Sequence, residues 1–138
     1  MSSDRFLDTN ILVYAHSQGD HRATVARRLL VEGGTVGVQV LNEFASIARA
    51  KLTFTWPEVE EAIEKIVVLC PSPRPLSIET HLEALRISKR YGFSIWEGLI
   101  VAAANQARCS TLLTEDLQHG QIIEGLRIEN PFLEPSLH

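Results

Sequence analysis

The chain has 138 residues, of which 45% are hydrophobic and 22% charged, the balance of one ordinary globular domain. A net charge of -4 and a pI near 5.7 argue against a generally basic nucleic-acid binder, so any polyanionic partner has to meet a local patch. No apolar run approaches the roughly 18–20 residues that span a bilayer. Met1-Ser-Ser leads straight into charged residues with no secretory pattern, and a cytoplasmic protein is expected.

In chain order, the short segment Arg5-Phe-Leu7 predicts a first strand, and Asn10 a cap for a short helix through residue 15. Asp20 is expected to cap a helix reaching Glu32, where Gly33-Gly34 stops it. A strand at 36–38 then leads into a helix over 41–50. Thr55-Trp-Pro-Glu58 reads as a capping box with proline just inside, opening a helix that gives way to a strand at 67–69. Pro71-Ser-Pro-Arg-Pro75 is a loop. Ser77 opens a helix that Gly92 ends, and Ser94-Ile-Trp-Glu97 opens another, apolar enough through Ala107 to be buried on most sides. Short strands are expected at 111–113 and 127–129. Strands alternating with helices predict an α/β fold, a short central parallel sheet with helices on both faces, forming one domain over 1–138.

Four acids stand out against this frame. Asp8 follows the first strand, Asp116 follows Thr111-Leu-Leu-Thr-Glu, and Glu43 and Glu97 lie near the starts of helices among apolar neighbours. A carboxylate buried alone is costly, and several together repel unless a cation neutralises them. Ligands of parallel sheets bind beyond the carboxyl ends of the strands, an edge all four acids can reach. The pattern points to a hard divalent cation held by oxygens.

Each acid also has a plainer role open to it. Asp8 can cap a helix, Glu97 can complete the Ser94 capping box, Glu43 can lie on a solvated helix face, and Asp116 can be a cap with Glu115 as the relevant acid. Other features weigh less. The Glu32-Gly-Gly-Thr-Val-Gly37 glycines precede a strand, the wrong context for a phosphate loop. His16, His21, His81, His119 and His138 lack metal-ligand spacing, with His16 and His21 expected in a solvated loop. Arg49 and Lys51, and the Arg86, Lys89, Arg90 face, are candidate phosphate contacts with ordinary helix-surface alternatives. Cys70 and Cys109 read as small buried residues. Trp56 and Trp96 read as core or interface residues, with base-stacking platforms as the alternative, and Trp56, Trp96 and Phe132 are available as anchors for self-association.

Taken together, Phe-Leu-Asp8-Thr-Asn-Ile-Leu, Val-Leu-Asn-Glu43-Phe, Trp-Glu97-Gly-Leu-Ile-Val-Ala-Ala-Ala and Leu-Leu-Thr-Glu-Asp116-Leu resemble PIN domains, in particular the VapC-type toxins of toxin–antitoxin pairs. The resemblance spans nearly the whole chain in the right order. It implies a metal-dependent endoribonuclease, with Asp8, Glu43 and Asp116 carried over as ligands of Mg²⁺ or Mn²⁺ and Thr9, Asn10 and Thr114 as polar support. It also implies a cognate antitoxin, and a homodimer fits the apolar helix faces. One position departs from the family pattern: Glu97 stands where aspartate is usual, and its extra methylene moves the carboxylate by about one bond, a shift that strict octahedral Mg²⁺ resists. The rival from another class is therefore a catalytically weak binding module. A phosphoreceiver domain is a third reading, but it needs an early acidic pair and a late lysine after a strand. Asp4 and Asp8 flank the first strand, and Thr-Glu-Asp follows Leu113.

Overall fold

The structure, a computed structural model, describes residues 4–133. The readings made on Met1-Ser-Ser and on His138 lie outside the described residues. The elements are β1 (Arg5–Leu7), α1 (Thr9–Ala15), α2 (His21–Glu32), α3 (Val38–Ala50), α4 (Trp56–Leu69), α5 (Ile78–Tyr91), α6 (Ile95–Gln106), β2 (Thr111–Leu113), β3 (Ile122–Ile123) and β4 (Leu126–Glu129). The sheet order is β1-β2-β4-β3, with β1, β2 and β4 parallel and β3 antiparallel to β4.

Neighbouring residues of a strand point to opposite faces, so burial on both sides is visible residue by residue. Phe6 and Leu7 of β1, and Leu112 and Leu113 of β2, are all essentially inaccessible. Both faces are covered, as expected for a buried parallel sheet. Beyond β1, Phe6 bridges to Thr35 in parallel and Gly37 to Arg74. The chain thus leaves β1 for a segment on one side and returns as β2 on the other. The carboxyl end of β1 sits where the order reverses, the position that parallel sheets use for ligands.

Three details differ from the expected elements. Residues 36–38 form no strand, with only isolated bridges at Thr35 and Gly37, because Val38 already begins α3 and its N–H donates to the Arg74 carbonyl at 2.9 Å. Residues 67–69 remain in α4, whose buried Val59, Ala62 and Ile66 keep a helical period while Val68 stays solvent-exposed. The sheet is mixed, because Glu124-Gly125 reverses the chain with positive φ at both residues (51° and 89°), a two-residue hairpin turn that seats β3 on β4. The Thr55 and Ser94 capping boxes, the Ser77 cap and the left-handed Gly92 at the end of α5 form as expected. The burial expected for α6 holds for Gly98, Val101, Ala102 and Ala104, but not for Trp96, which stands in solvent. Cys70 and Cys109 are buried. No helix among the described residues is long and apolar enough to cross a membrane.

Candidate active site

Asp8 is held first of all by its own helix. One carboxylate oxygen accepts the Thr9 N–H at 2.7 Å, making Asp8 the cap of α1, and the other accepts the Thr114 hydroxyl at 2.6 Å. Asn10, expected as that cap, lies inside the first turn instead. Its amide faces Glu115 at 3.4 Å and Asp116 at 3.5 Å. Capping and site membership are compatible for Asp8, because each carboxylate oxygen has a second lone pair.

Thr9 and Thr114, both buried, work as connectors. The Thr9 hydroxyl donates to Glu43 at 2.6 Å, drawing the α3 carboxylate inward from what could have been a solvated helix face. The Thr114 oxygen accepts the Asp116 N–H at 3.1 Å while its proton goes to Asp8, so a single hydroxyl ties the ends of β1 and β2 together. Glu97 accepts the Ser94 N–H at 2.8 Å, closing the capping box of α6, and also lines the same cleft.

A cleft of about 350 Å³ gathers all seven expected residues, Asp8, Thr9, Asn10, Glu43, Glu97, Thr114 and Asp116. Burial pushes the Asp8 carboxyl from 3.8 up to about 6 against the pull of its two hydrogen bonds, with Asp116 and Glu43 adding repulsion. Asp116, at the exposed edge, is also raised, by partial desolvation and by the charges of Glu115, Glu97 and Glu43. None of the ion pairs among the described residues involves Asp8, Glu43, Glu97 or Asp116. Arg74 is the one basic residue in the lining.

The donor set fits a hard divalent cation in kind: all the ligand atoms are oxygens, and their charge is uncompensated. The carboxylates are not drawn into a cage, since no three His, Cys, Asp or Glu side chains among the described residues stand close enough to hold an ion.

Glu115, the alternative to Asp116, turns away from the cleft. It accepts the Tyr14 hydroxyl at 2.5 Å and approaches Arg22 at 3.8 Å. Three of the five basic candidates are occupied elsewhere: Arg86 pairs with Glu83 and Glu124, Arg90 with Glu124, and Arg49 donates to the Phe54 carbonyl. His119 accepts the Asn130 N–H within a surface turn. His16 is not the solvated loop residue expected. It ends α1, bonds the Leu12 carbonyl at 2.7 Å, and its ring lies 5.0 Å from that of Phe44.

The PIN domain family model matches residues 5–123. The chain belongs to the PIN-domain family. A search of curated proteins found no match. Among solved structures, a toxin–antitoxin complex from Klebsiella pneumoniae aligns with a TM-score of 0.70 at 15% identity, covering 93% of this chain and 98% of that one. The VapC20 toxin of Mycobacterium tuberculosis, described as cleaving the sarcin–ricin loop, aligns at 0.61 and 16% identity over 81% and 89%. VapBC2 from Rickettsia felis, bound to a promoter DNA fragment, aligns at 0.61 and 20% identity over 91% and 97%. At these identities the neighbours establish the fold of this PIN domain.

What the expected list omitted is Arg74 and Trp96, which line the cleft beside the acids. The signal available in the sequence was the place of Trp96, two residues after the Ser94 cap and next to Glu97.

Proposed function

We propose that this PIN domain is an Mg²⁺- or Mn²⁺-dependent endoribonuclease and the toxin of a toxin–antitoxin pair. The observation that carries the reading is the convergence of Asp8, Glu43, Glu97 and Asp116 on one cleft with no ion pair among the described residues to neutralise them. The family match and toxin neighbours support it. These four carboxylates would hold the cation by closing on it from their present spacing, in which no three among the described residues stand close enough to do so. When bound, the metal supplies the charge that activates an attacking water and steadies the phosphoryl oxygens. Thr9 and Thr114 keep the Glu43 and Asp8 carboxylates in place, and Asn10 orients Asp116. Asp116, nearest solvent, is positioned to take the proton of the incoming water. Cleavage of RNA in Mg²⁺ or Mn²⁺ that EDTA abolishes is the expected result. Cleavage undiminished in EDTA would end this reading.

A second reading, a catalytically weak binding module, is favoured by one observation: Glu97 spends an oxygen on its capping box. Glu97→Asp and Glu97→Gln separate the two. For a nuclease, aspartate should preserve or raise the rate, and glutamine should weaken Mn²⁺ affinity by roughly 10–100-fold. Glutamine reproduces the cap, since its amide oxygen also accepts the Ser94 N–H. Unchanged affinity in Glu97→Gln by calorimetry would remove Glu97 from the site.

The partners follow from the surface. Phe132 is not available as an interface anchor, being buried edge-on against Tyr14. Along α5, however, Ile78 (64% exposed), Leu82 (57%) and Leu85 (47%) form an outward apolar stripe at helical spacing, a surface suited to a two-fold dimer. A dimer at micromolar concentration, dispersed by Leu82→Asp, is the expected light-scattering result. Wild type found only as monomer would discard it. The antitoxin would place an Arg or Lys in the acidic cleft, and its inhibition should then weaken as Mn²⁺ rises. Inhibition indifferent to Mn²⁺ would leave steric occlusion as the account.

A further inference from the structure

Without a bound cation, the cleft that gathers the acids is poorly suited to gripping RNA by its backbone. Its lining carries four carboxylates against one basic residue, Arg74. Phosphate attraction scales with the number of cations in contact, so affinity for a strand has to come from another source.

Trp96 stands at this cleft, next in sequence to Glu97, 62% exposed and in company with Val38, Pro75 and Leu76. Val38 and Leu76 are exposed as well, so the ring belongs to an apolar patch at the cleft, and such patches mark ligand or partner surfaces. The two tryptophans make the contrast. Trp56, equally exposed at 60%, has the Arg49 guanidinium 4.5 Å over its ring. No aromatic or cationic group among the described residues takes the Trp96 ring in this way.

We propose that Trp96 is a nucleobase platform: an unpaired base next to the scissile phosphate stacks on its indole, and this contact adds strand affinity that the acidic lining does not supply. The proposal rests on the nuclease reading for its orientation, since a base on Trp96, next to Glu97, brings its flanking phosphate to the acids. Stacking tolerates any base, because every base has a π face, so Trp96 selects unpaired RNA over duplex without choosing a sequence. The residue is a specificity and binding determinant and takes no part in bond breaking.

The test compares a short unstructured RNA strand with the same strand carrying abasic residues, binding measured in EDTA and cleavage in Mn²⁺. Wild type should prefer the base-bearing strand by about tenfold or more, the scale of one stacked base. Trp96→Ala should lose that preference, and Trp96→Phe should keep most of it. In Mn²⁺, Trp96→Ala should raise KM by a similar factor with kcat held. A base preference retained in Trp96→Ala, or missing from wild type, overturns the platform. So does a Trp96→Ala protein with unaltered strand affinity and a raised monomer fraction, which makes this face a contact between copies. Wild type that prefers base-bearing strands through Trp96 but never cuts them in Mn²⁺ sinks the nuclease reading and leaves the platform standing.

Discussion

Asp8→Asn should abolish RNA cleavage and, without added metal at pH 7.5, yield a protein that melts higher than wild type. Even a side chain that only orients a metal ligand changes activity by roughly 10–100-fold, so loss of a direct ligand should exceed that. The stability gain follows from charge. In the fold the Asp8 carboxyl titrates near 6 instead of 3.8, because burial and the neighbouring Asp116 and Glu43 oppose its ionisation. The folded protein therefore holds a proton that the unfolded chain has released, and stability falls as pH rises from about 4 to about 6. A gap of that size is worth about 3 kcal/mol. Asparagine can still accept the Thr9 N–H and never ionises. Part of that free energy should reappear as a rise in Tm of the order of 5 °C. At pH 4 the difference should vanish, since wild-type Asp8 is then protonated. Millimolar Mg²⁺ should reverse the order, because only wild type gains from binding. Equal cleavage by the two proteins would refute the assigned role, and a Tm gap as large at pH 4 as at pH 7.5 would refute its electrostatic cause.

The parts of the site that could be read from residues alone were those governed by local rules. Asp8 and Asp116 follow short apolar strands, and a strand end in a parallel sheet fixes which edge a side chain reaches. The Ser94 and Thr55 boxes are four-residue patterns whose geometry is self-contained. What escaped depends on distant partners. Val67, Val68 and Leu69 have strand-like composition, but no breaker precedes Pro71, and α4 simply continues through them. Glu124 adopts a left-handed turn that usually calls for Asn or Gly, and it is held there by Arg86 and Arg90 of α5. Those same arginines looked like candidate phosphate contacts until their partner, far along the chain, was in view. The choice between Asn10 and Asp8 as helix cap turned on the Thr114 hydroxyl, which comes from β2 and has no local signature.

Gly98→Ala should cost the protein about 2–3 kcal/mol, the scale of forced overpacking, and lower Tm by ~10 °C. In an isolated helix the same change is favourable by up to about 1 kcal/mol, so a net loss would measure the α5–α6 contact directly. A β-carbon at position 98 would lie 2.0 Å from the Ser88 hydroxyl and 2.6 Å from the Ala84 carbonyl oxygen. The hydroxyl can rotate only by giving up its bond to the Ser94 carbonyl at 3.0 Å, at the cap of α6. The Ala84 carbonyl belongs to the α5 backbone, with its residue fully buried, and cannot turn aside. Ser88→Ala in the Gly98→Ala background should thus recover part of the loss, and the two changes should be non-additive. α6 has to move away from α5, carrying Glu97 and Trp96 with it, so cleavage should fall even at temperatures where the variant is fully folded. A Gly98→Ala protein as stable as wild type would show that the helices are not locked by this contact, and that Glu97 owes its position to the Ser94 capping box alone.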